Sequence, residues 1–533
     1  MIAPELARTL SEISRSINRQ IGILLDRRGR IRVTVVGDAH SIFLPDLTSY
    51  RVGHARFCGL RLIHTHLKPS PLDNDDLTDL ALLRLDLVAA IEVEPDGLPG
   101  RIHVAHLLPA NEEGTPWQIV PPQRVQELPD DFESMISSLE QEFTRKRAAR
   151  KSETGRDRAI VIHVSTDAPA QVDESLSELK ELARSAGIDV VAEIRQRRSP
   201  DPRYVMGRGK LQGVIIQAMQ AGAEVLLFDR NLTPAQVKHI SEFSDIKALD
   251  RSQVILDIFA QRAQEREAKL QVELAQLRYL LPRLSGKHTA MSRLTGGIGG
   301  RGPGETKLEI DQRRARARIT QLQREVEKLG GRRRLRRKRR TDRKIPIVSI
   351  VGYTNAGKST LLNRLTDSTV AARDELFATL NPVSRRIRFP QEREVIVTDT
   401  VGFIRDLPET LMAAFRTTFE EIASADLILL VLDAANPEVD HQNATVMEHL
   451  RKLGVHDVPM LTVLNKSDLS ETPLMNALVM KYRGVPISAL NRDTFTPLLE
   501  EMEARLWSAD DSDHDKANSY LRDLPEHSDA NTL

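Results

Sequence analysis

Among 533 residues there is a single cysteine, Cys58, so no internal disulfide can form and the chain suits a reducing compartment. No stretch approaches the roughly 18 consecutive apolar residues that a membrane span requires. The opening Met-Ile-Ala-Pro-Glu lacks the basic region and apolar stretch of a secretory signal. Net charge is also nearly absent, since 76 Lys and Arg face 75 Asp and Glu. These absences argue against a disulfide-stapled secreted scaffold and a membrane-spanning protein. With an apolar content of 40%, they predict a soluble, cytoplasmic chain of three or four ordinary domains.

The near-zero net charge hides an asymmetry. Residues 305–344 hold 17 Lys and Arg against 6 Asp and Glu, and residues 510–533 hold 7 acidic against 2 basic residues. A basic block on an otherwise acidic chain points to a polyanionic partner, most simply nucleic acid. A solvated linker is the alternative reading of that run. The acidic tail is expected to be disordered.

Patterning divides the chain into five parts. Residues 1–150 form a first α+β unit, with "RIRVTVVGD" and "LVAAIEVEP" as strands and "DNDDLTDLALLRLD" as a helix; "TRKRAARKSETGRDR" then reads as a linker. Residues 158–255 alternate strand and helix, which predicts a small parallel αβ unit. Residues 256–344 carry two a/d seams: Leu270, Leu274, Leu277, Leu281 and Leu284, then Ala315, Ile319, Leu322, Val326 and Leu329. Two seams joined by a loop predict an antiparallel helical hairpin. A 25-residue helix would carry that loop about 37 Å from the domain body. The glycine-rich "GGIGGRGPGE" lies within it, and Arg293 just before it and Arg301 inside it bring positive charge. Residues 345–490 form a second αβ domain, and 491–533 a short helical segment with the polar tail.

The chemistry is concentrated in the fourth part. "GYTNAGKST", Gly352, Tyr353, Thr354, Asn355, Ala356, Gly357, Lys358, Ser359 and Thr360, satisfies G-x-x-x-x-G-K-[ST] between an apolar strand and a helix. Glycines let backbone N–H groups close around phosphates, and the helix N-terminus adds positive potential. Lys358 would reach the β- and γ-phosphates and Ser359 would bind Mg²⁺. "VIVTDTVGF" supplies Asp399, Thr400, Val401 and Gly402 as D-x-x-G, with Asp399 on Mg²⁺ through water and the Gly402 N–H sensing the γ-phosphate. "LFATLNP" offers Phe377, Ala378 and Thr379, the last as the switch threonine completing the Mg²⁺ shell. "LTVLNKSDL" presents Asn465, Lys466 and Asp468 at a strand end. An aspartate there accepts from guanine N1–H and the exocyclic amine, which adenine cannot match. Ser488, Ala489 and Leu490 suit the loop closing over the base. These motifs, in this order and spacing, predict a GTP/GDP site. Phe403 stands where many GTPases carry the glutamine that orients water, so slow intrinsic hydrolysis stimulated by a partner is expected. Thr379 is the least specific of these assignments.

The order of αβ unit, seam pair, "GGIGGRGPGETKLEIDQRR" and GTPase motifs resembles the HflX family of translation-factor-related GTPases. "YVMGRGKL" (204–211), "FDRNLTPAQ" (228–236) and "LDIFAQRAQEREAKLQVELAQLRYLLPRL" (256–284) extend the resemblance over about residues 158–490. It implies α/β architecture with a P-loop GTPase domain of mostly parallel sheet. It also implies a single copy bound to the large ribosomal subunit, with the hairpin loop against ribosomal RNA near the peptidyl-transferase centre, and splitting of stalled or idle ribosomes. GTPases similar in having Asn at position 355 often use K⁺ beside the phosphates. Where the family more often shows Asp and two threonines, this chain has Asn381, Val383 and Ser384, so the switch chemistry is less well matched. Residues 1–150 lie outside the resemblance.

Two other readings stay open. An RNA-remodelling NTPase would have a second nucleotide site in the αβ unit, its only signal being "GRGK" at 207–210. A metallohydrolase fused to a GTPase would use His64 and His66, followed by Ser70, Asp73, Asp75 and Asp76, an order faintly similar to the H-x-H…S-x-x-D of JAMM-type metallopeptidases. The intervening loop is shorter than that family's, and no glutamate lies between Asp38 and Arg61 to act as base. Alternating residues on an edge strand are therefore the expected explanation of the two histidines, with a degenerate relative of that fold as the variant.

Overall fold

The computed structural model describes residues 2–507 apart from 46, 48–49, 51–55, 110, 112–113, 129–130, 245, 285–306, 342–344, 367–375, 378–382, 390–392, 416–418, 420–421 and 456; at 147, 149–154, 242, 307–308 and 330–341 it describes the backbone alone. The chain divides into two compact units, Met1–Arg251 and Ser252–Leu533.

The first unit contains two sheets. A six-stranded sheet has the order β2-β1-β3-β4-β5-β6, where β1 is Ile21–Asp26, β2 Ile31–Val36, β3 Leu60–His66, β4 Leu87–Val93, β5 Pro99–Leu107 and β6 Trp117–Arg124. Only β3 and β4 run parallel. β3 and β4 are buried almost throughout because they lie inside the sheet, whereas edge strand β2 is largely exposed. Helix α1 (Pro4–Ile17) starts with Pro4 in its first turn and stops at Asn18, whose φ of 53° ends the hydrogen-bond ladder. Ser14 on α1 meets Thr65 on β3, Oγ to Oγ1, at 2.8 Å. Helix α2 (Asn74–Leu83) begins with a capping box between Asp73 and Asp76.

Two expectations need correcting in this unit. The Lys/Arg-rich stretch after residue 144 is not an irregular linker, because helix α3 runs without a break over Phe132–Thr154. Its Ala, Arg and Lys are strong helix formers, and composition alone misread them. His64 and His66 do not sit on an edge strand either, since β3 lies between β1 and β4.

The second sheet matches the alternating pattern. It has the order β10-β9-β7-β8 with every pair parallel: β7 is Asp157–Ser165, β8 Ile188–Arg197, β9 Val225–Phe228 and β10 Lys247–Asp250. Helices α4 (Pro169–Ser185), α5 (Arg208–Ala221) and α6 (Pro234–Phe243) connect them. "GRGK" opens α5, with Gly207 as its N-cap. A buried ion network closes this layer. Arg251, with no exposed surface, donates through Nη1 to Asp229 Oδ1 at 2.9 Å and through Nη2 to Glu178. His163 Nδ1 meets Asp229 Oδ2 at 2.6 Å.

In the second unit, helix α7 (Arg251–Arg262) precedes α8 (Arg266–Leu280) and the 35-residue α9 (Lys307–Thr341). Leu270, Leu274 and Leu322 form a buried cluster, joined by Leu277, Ile319, Val326 and Leu329, so the two seams meet as predicted. Arg318 pairs with Glu273 at 2.7 Å and Arg266 with Glu325 at 3.8 Å. Rising numbers on one helix match falling numbers on the other, which makes the pair antiparallel. α8 is shorter than the sequence suggested. It is 15 residues, about 22 Å, because the chain breaks helix at 263–264 and Leu281 and Pro282 enter a 3₁₀ turn. The glycine-rich segment 285–304 falls outside the described residues.

The GTP-motif sheet has the order β12-β13-β11-β14-β15-β16, parallel except for β12 against β13. Its strands are β11 Ile347–Gly352, β12 Val383–Arg388, β13 Glu394–Asp399, β14 Leu427–Asp433, β15 Met460–Asn465 and β16 Val485–Pro486. Helices α10 (Lys358–Thr366), α11 (Glu409–Ala414), α12 (Val439–Lys452) and α13 (Thr472–Tyr482) accompany it. A last helix, α14 (496–507), belongs to this core rather than to a separate tail. Leu498 and Met502 are fully buried in it, and Trp507 packs edge-on against Phe389. Residues 508–533 lie outside the described residues.

Removing Arg251 would take the buried cation from Asp229, which would keep His163, and from Glu178. Arg251→Met is expected to cost about 3–5 kcal/mol, measured as a lowered denaturant midpoint; an unchanged midpoint would show that the network contributes nothing.

Candidate nucleotide site

β11 runs straight into the phosphate loop. A Cβ on Gly352 would lie 2.3 Å from the Val431 carbonyl oxygen of β14, so no side chain fits there. Gly357 has φ +90°, and a Cβ would lie 2.2 Å from Asn465 Nδ2. Between them Asn355 takes φ 61°, a left-handed conformation that asparagine tolerates well. The loop then enters α10, whose first residue is Lys358. The Lys358 side chain is buried and its Nζ donates to the Tyr353 carbonyl at 2.7 Å. Burial pulls its pKa down to about 8, against a smaller opposing pull from Asp399.

β13 delivers the opposite wall. Ser359 Oγ donates to Asp399 Oδ2 at 2.7 Å, and Asp399 has no exposed surface. This hydroxyl and carboxylate form an oxygen pair of the kind that holds Mg²⁺. Thr400 Oγ1 donates to the Ile350 carbonyl at 2.7 Å, which fixes the strand end. At Gly402 a Cβ would come within 2.9 Å of Lys358 Nζ and 3.0 Å of Thr354 Cγ2, so Gly402 lets the strand end approach the phosphate loop. Backbone bonds continue the joint: Phe403 N donates to Gly352 O at 3.1 Å, and Thr354 N donates to Phe403 O at 2.8 Å.

The Phe403 ring is fully buried, stacked on His449 at 5.4 Å and on Phe419 at 5.8 Å. Burial holds the His449 pKa below its ordinary value. His449 Nε2 bonds the Ile404 carbonyl at 3.2 Å. Position 403 is therefore a core residue, and its side chain is engaged away from solvent.

On the third side Asn465, buried at the end of β15, donates through Nδ2 to Ala356 O at 2.8 Å and accepts at Oδ1 from Ala489 N at 2.8 Å. Lys466 follows with φ 62° and pairs with Asp433 Oδ2 at 2.6 Å. Asp468 is exposed on the 3₁₀ turn Ser467–Leu469. Ser488 and Ala489 are buried and Leu490 is 67% exposed; Ser488 N donates to Thr494 Oγ1 at 3.0 Å. Asp433 and Thr494 were not singled out by motif, because each acts through a contact with a motif residue.

Ala378, Thr379 and Asn381 lie outside the described residues. Their neighbour Phe377 is described: it has φ 57° and is 3% exposed. Its ring packs edge-on against Phe259 of α7 at 4.8 Å, and Phe259 meets Phe415, just after α11, at 5.5 Å. Arg262 Nη1 donates to Leu376 O. α11 also packs on α8. Sequence reasoning missed this anchor, since no motif connects residue 259 with residue 377. Ser384 lies in β12 and its hydroxyl meets that of Thr398 at 3.0 Å, a sheet contact.

Three family models match in chain order. They are described as "GTP-binding GTPase N-terminal" at residues 173–260, "GTP-binding GTPase Middle Region" at 262–340 and "50S ribosome-binding GTPase" at 347–466. The chain is 44% identical over 357 residues to a protein named GTPase HflX from Caldanaerobacter subterraneus subsp. tengcongensis, spanning 67% of this chain and 82% of that protein. It is 44% identical over 316 residues to GTPase HflX from Escherichia coli, spanning 59% and 74%. Among solved structures, a GTP-binding protein from Sulfolobus solfataricus in complex with GDP is 27% identical, covering 66% of this chain and 99% of that one at a TM-score of 0.36.

A lysine with pKa near 8 in the nucleotide-free protein should gain its proton when phosphates bind. GDP binding at pH about 8 should therefore take up about half a proton, and affinity should decline as the pH rises further. Calorimetry in buffers of different ionisation enthalpy measures this; zero uptake would refute the assigned state of Lys358.

Proposed function

The chain belongs to the HflX family of GTPases and binds and hydrolyses GTP, and from that premise we propose that its GTP form docks on the large ribosomal subunit and splits stalled or idle ribosomes. The observation that carries this reading is the Phe377–Phe259 contact. It ties the segment just before Thr379, in the loop expected to respond to the γ-phosphate, to the helix that leads into the α8–α9 pair. In this reading GTP orders the residues around Thr379 and Asp399, and the aromatic contact passes the change to the helical pair. The glycine-rich segment, with Arg293 and Arg301, then meets ribosomal RNA. The basic run 332–340, which continues α9 beyond its last pairing residue, meets RNA phosphate.

The site residues take the following roles. Backbone N–H groups from Gly352 through Thr360 cradle the phosphates. Lys358 reaches the β- and γ-oxygens, and the Gly402 N–H faces the γ-phosphate. Mg²⁺ fits the Ser359–Asp399 oxygen pair, with Thr379 completing the set, and when bound it offsets charge on the β- and γ-phosphates. K⁺ beside Asn355 would add to that charge. Asp468 selects guanine while Ser488, Ala489 and Leu490 cover the base; Asn465 and Lys466 hold the loops that present them. Because the Phe403 ring is committed to the core, this position supplies no group to orient water. Intrinsic hydrolysis is therefore slow, and the ribosome supplies or orders what is missing.

Asp468→Asn should shift preference from guanine to xanthine nucleotides in competition binding, and retained guanine preference would remove Asp468 from the base contact. Sedimentation with large subunits tests the main proposal: association is expected with a non-hydrolysable GTP analogue and reduced with GDP. Replacing Arg332, Arg333, Arg334, Arg336 and Arg337 with Ala should weaken that association and lower its salt dependence by about one slope unit per lost phosphate contact. Unchanged affinity would return the run to a linker.

A further inference from the structure

We propose that His64, His66 and Asp76 form a binding site for a divalent transition-metal ion of the Zn²⁺ class, built into the first compact unit. The reading does not depend on the nucleotide site or on any partner.

The placement follows from two local rules. Residues 64 and 66 share one face of β3, because side chains alternate along a strand. Thr65, between them, turns to the other face and meets Ser14 of α1. On the histidine side, α2 brings down Asp76. Its backbone is fixed by the capping box, in which Asp76 N donates to Asp73 Oδ1 at 2.8 Å and Asp73 N donates to Asp76 Oδ2 at 3.0 Å. His64 is 1% exposed, His66 5% and Asp76 7%.

The distances suit an ion better than a simple ion pair. His64 Nε2 lies 3.1 Å from Asp76 Oδ1, and His66 Nε2 lies 3.7 Å from Asp76 Oδ2. One ligand atom from each residue can be chosen with all three within 4.8 Å of one another. A tetrahedral ion with bonds of about 2.0–2.1 Å separates neighbouring ligand atoms by about 3.3–3.4 Å, between those two contacts. Despite its closeness to Asp76, neither ring nitrogen of His64 makes a hydrogen bond. A buried polar group left in that state is costly, and a metal bond would relieve it.

His66 shows the outer support that metal-bound histidines usually have. Its Nδ1 lies 3.0 Å from the Ser70 carbonyl and 2.9 Å from Ser70 Oγ. Donation from Nδ1 to the carbonyl leaves the Nε2 lone pair for an ion. Two histidines and one carboxylate bind Zn²⁺ and leave a fourth position for water. No hydrolytic step is part of the proposal. The strand register sets Glu92 beside His66, but His103 engages that carboxylate at 2.8 Å. The ion's work is to clip α2 to β3.

The test uses the full-length chain without an affinity tag, loaded with Zn²⁺ and then desalted. About one zinc per chain should remain by elemental mass spectrometry. Substitution with Co²⁺ should give the visible absorption of a tetrahedral site. Asp76→Asn and His64→Asn should each abolish both signals while GDP binding is unchanged. If those variants misfold the wild-type chain still decides, because zinc retention and Co²⁺ absorption are read on it directly. A wild-type chain that retains no zinc would overturn the proposal. So would folded Asp76→Asn protein with undiminished zinc.

Discussion

The side-chain amide of Asn465 joins Ala356 of the phosphate loop to Ala489 of the loop beyond β16, segments separated from it by 109 and 24 residues of sequence. Both of its polar atoms are used, and both bonds are buried, where leaving either partner unsatisfied would cost about 1–3 kcal/mol. The approach is possible only because position 357 is glycine. The phosphate side and the base side of the site are thus referred to one atom group. Their spacing is set before any nucleotide enters, and preorganised spacing is what lets a binding site avoid ordering costs later.

The other half of the site is joined through backbone. The reciprocal bonds between Phe403 and the Gly352–Thr354 segment extend the parallel sheet by one bridge, and the Phe403 ring anchors that bridge in the core. The substitution that removes a water-orienting side chain therefore adds a packing contact. One residue accounts both for the missing catalytic group and for the rigidity of the wall. From the same domain, the Phe377–Phe259–Phe415 cluster gives the segment before Thr379 a fixed footing on α7.

Much of this was legible because it is local. A phosphate loop is defined by spacing within nine residues, and the alternation of apolar runs with helical spacing revealed the parallel sheet of residues 158–255. The a/d steps revealed the helical pair for the same reason. What stayed hidden depends on neighbours distant in sequence. That β3 is an interior strand follows from its pairing with β1 and β4, which no window around His64 contains. The role of Asn465 as a strut, rather than only a guanine-motif residue, needs the position of Ala356. The short helical segment after residue 490 was expected without a partner, and Leu498 and Met502 place it in the core of the sheet. The helical Lys/Arg run before β7 was misread from its polarity, although polarity is no bar to a helix of good formers.

The length of α9 has a mechanical meaning. Thirty-five residues of helix make a rod of about 52 Å, and the α8 seam stiffens it along a good part of that length. A rod pivoting by about 5° moves its far end by about 4.5 Å. Arg266 at the start of α8 lies opposite Glu325, so about 27 Å of α9 runs from the root of the pair to the first residue of α9. A pivot of about 5° at the root moves that end about 2.4 Å without any residue between them changing conformation. Amplitude here comes from leverage, and the protein needs only a stiff arm and a firm bearing to produce it.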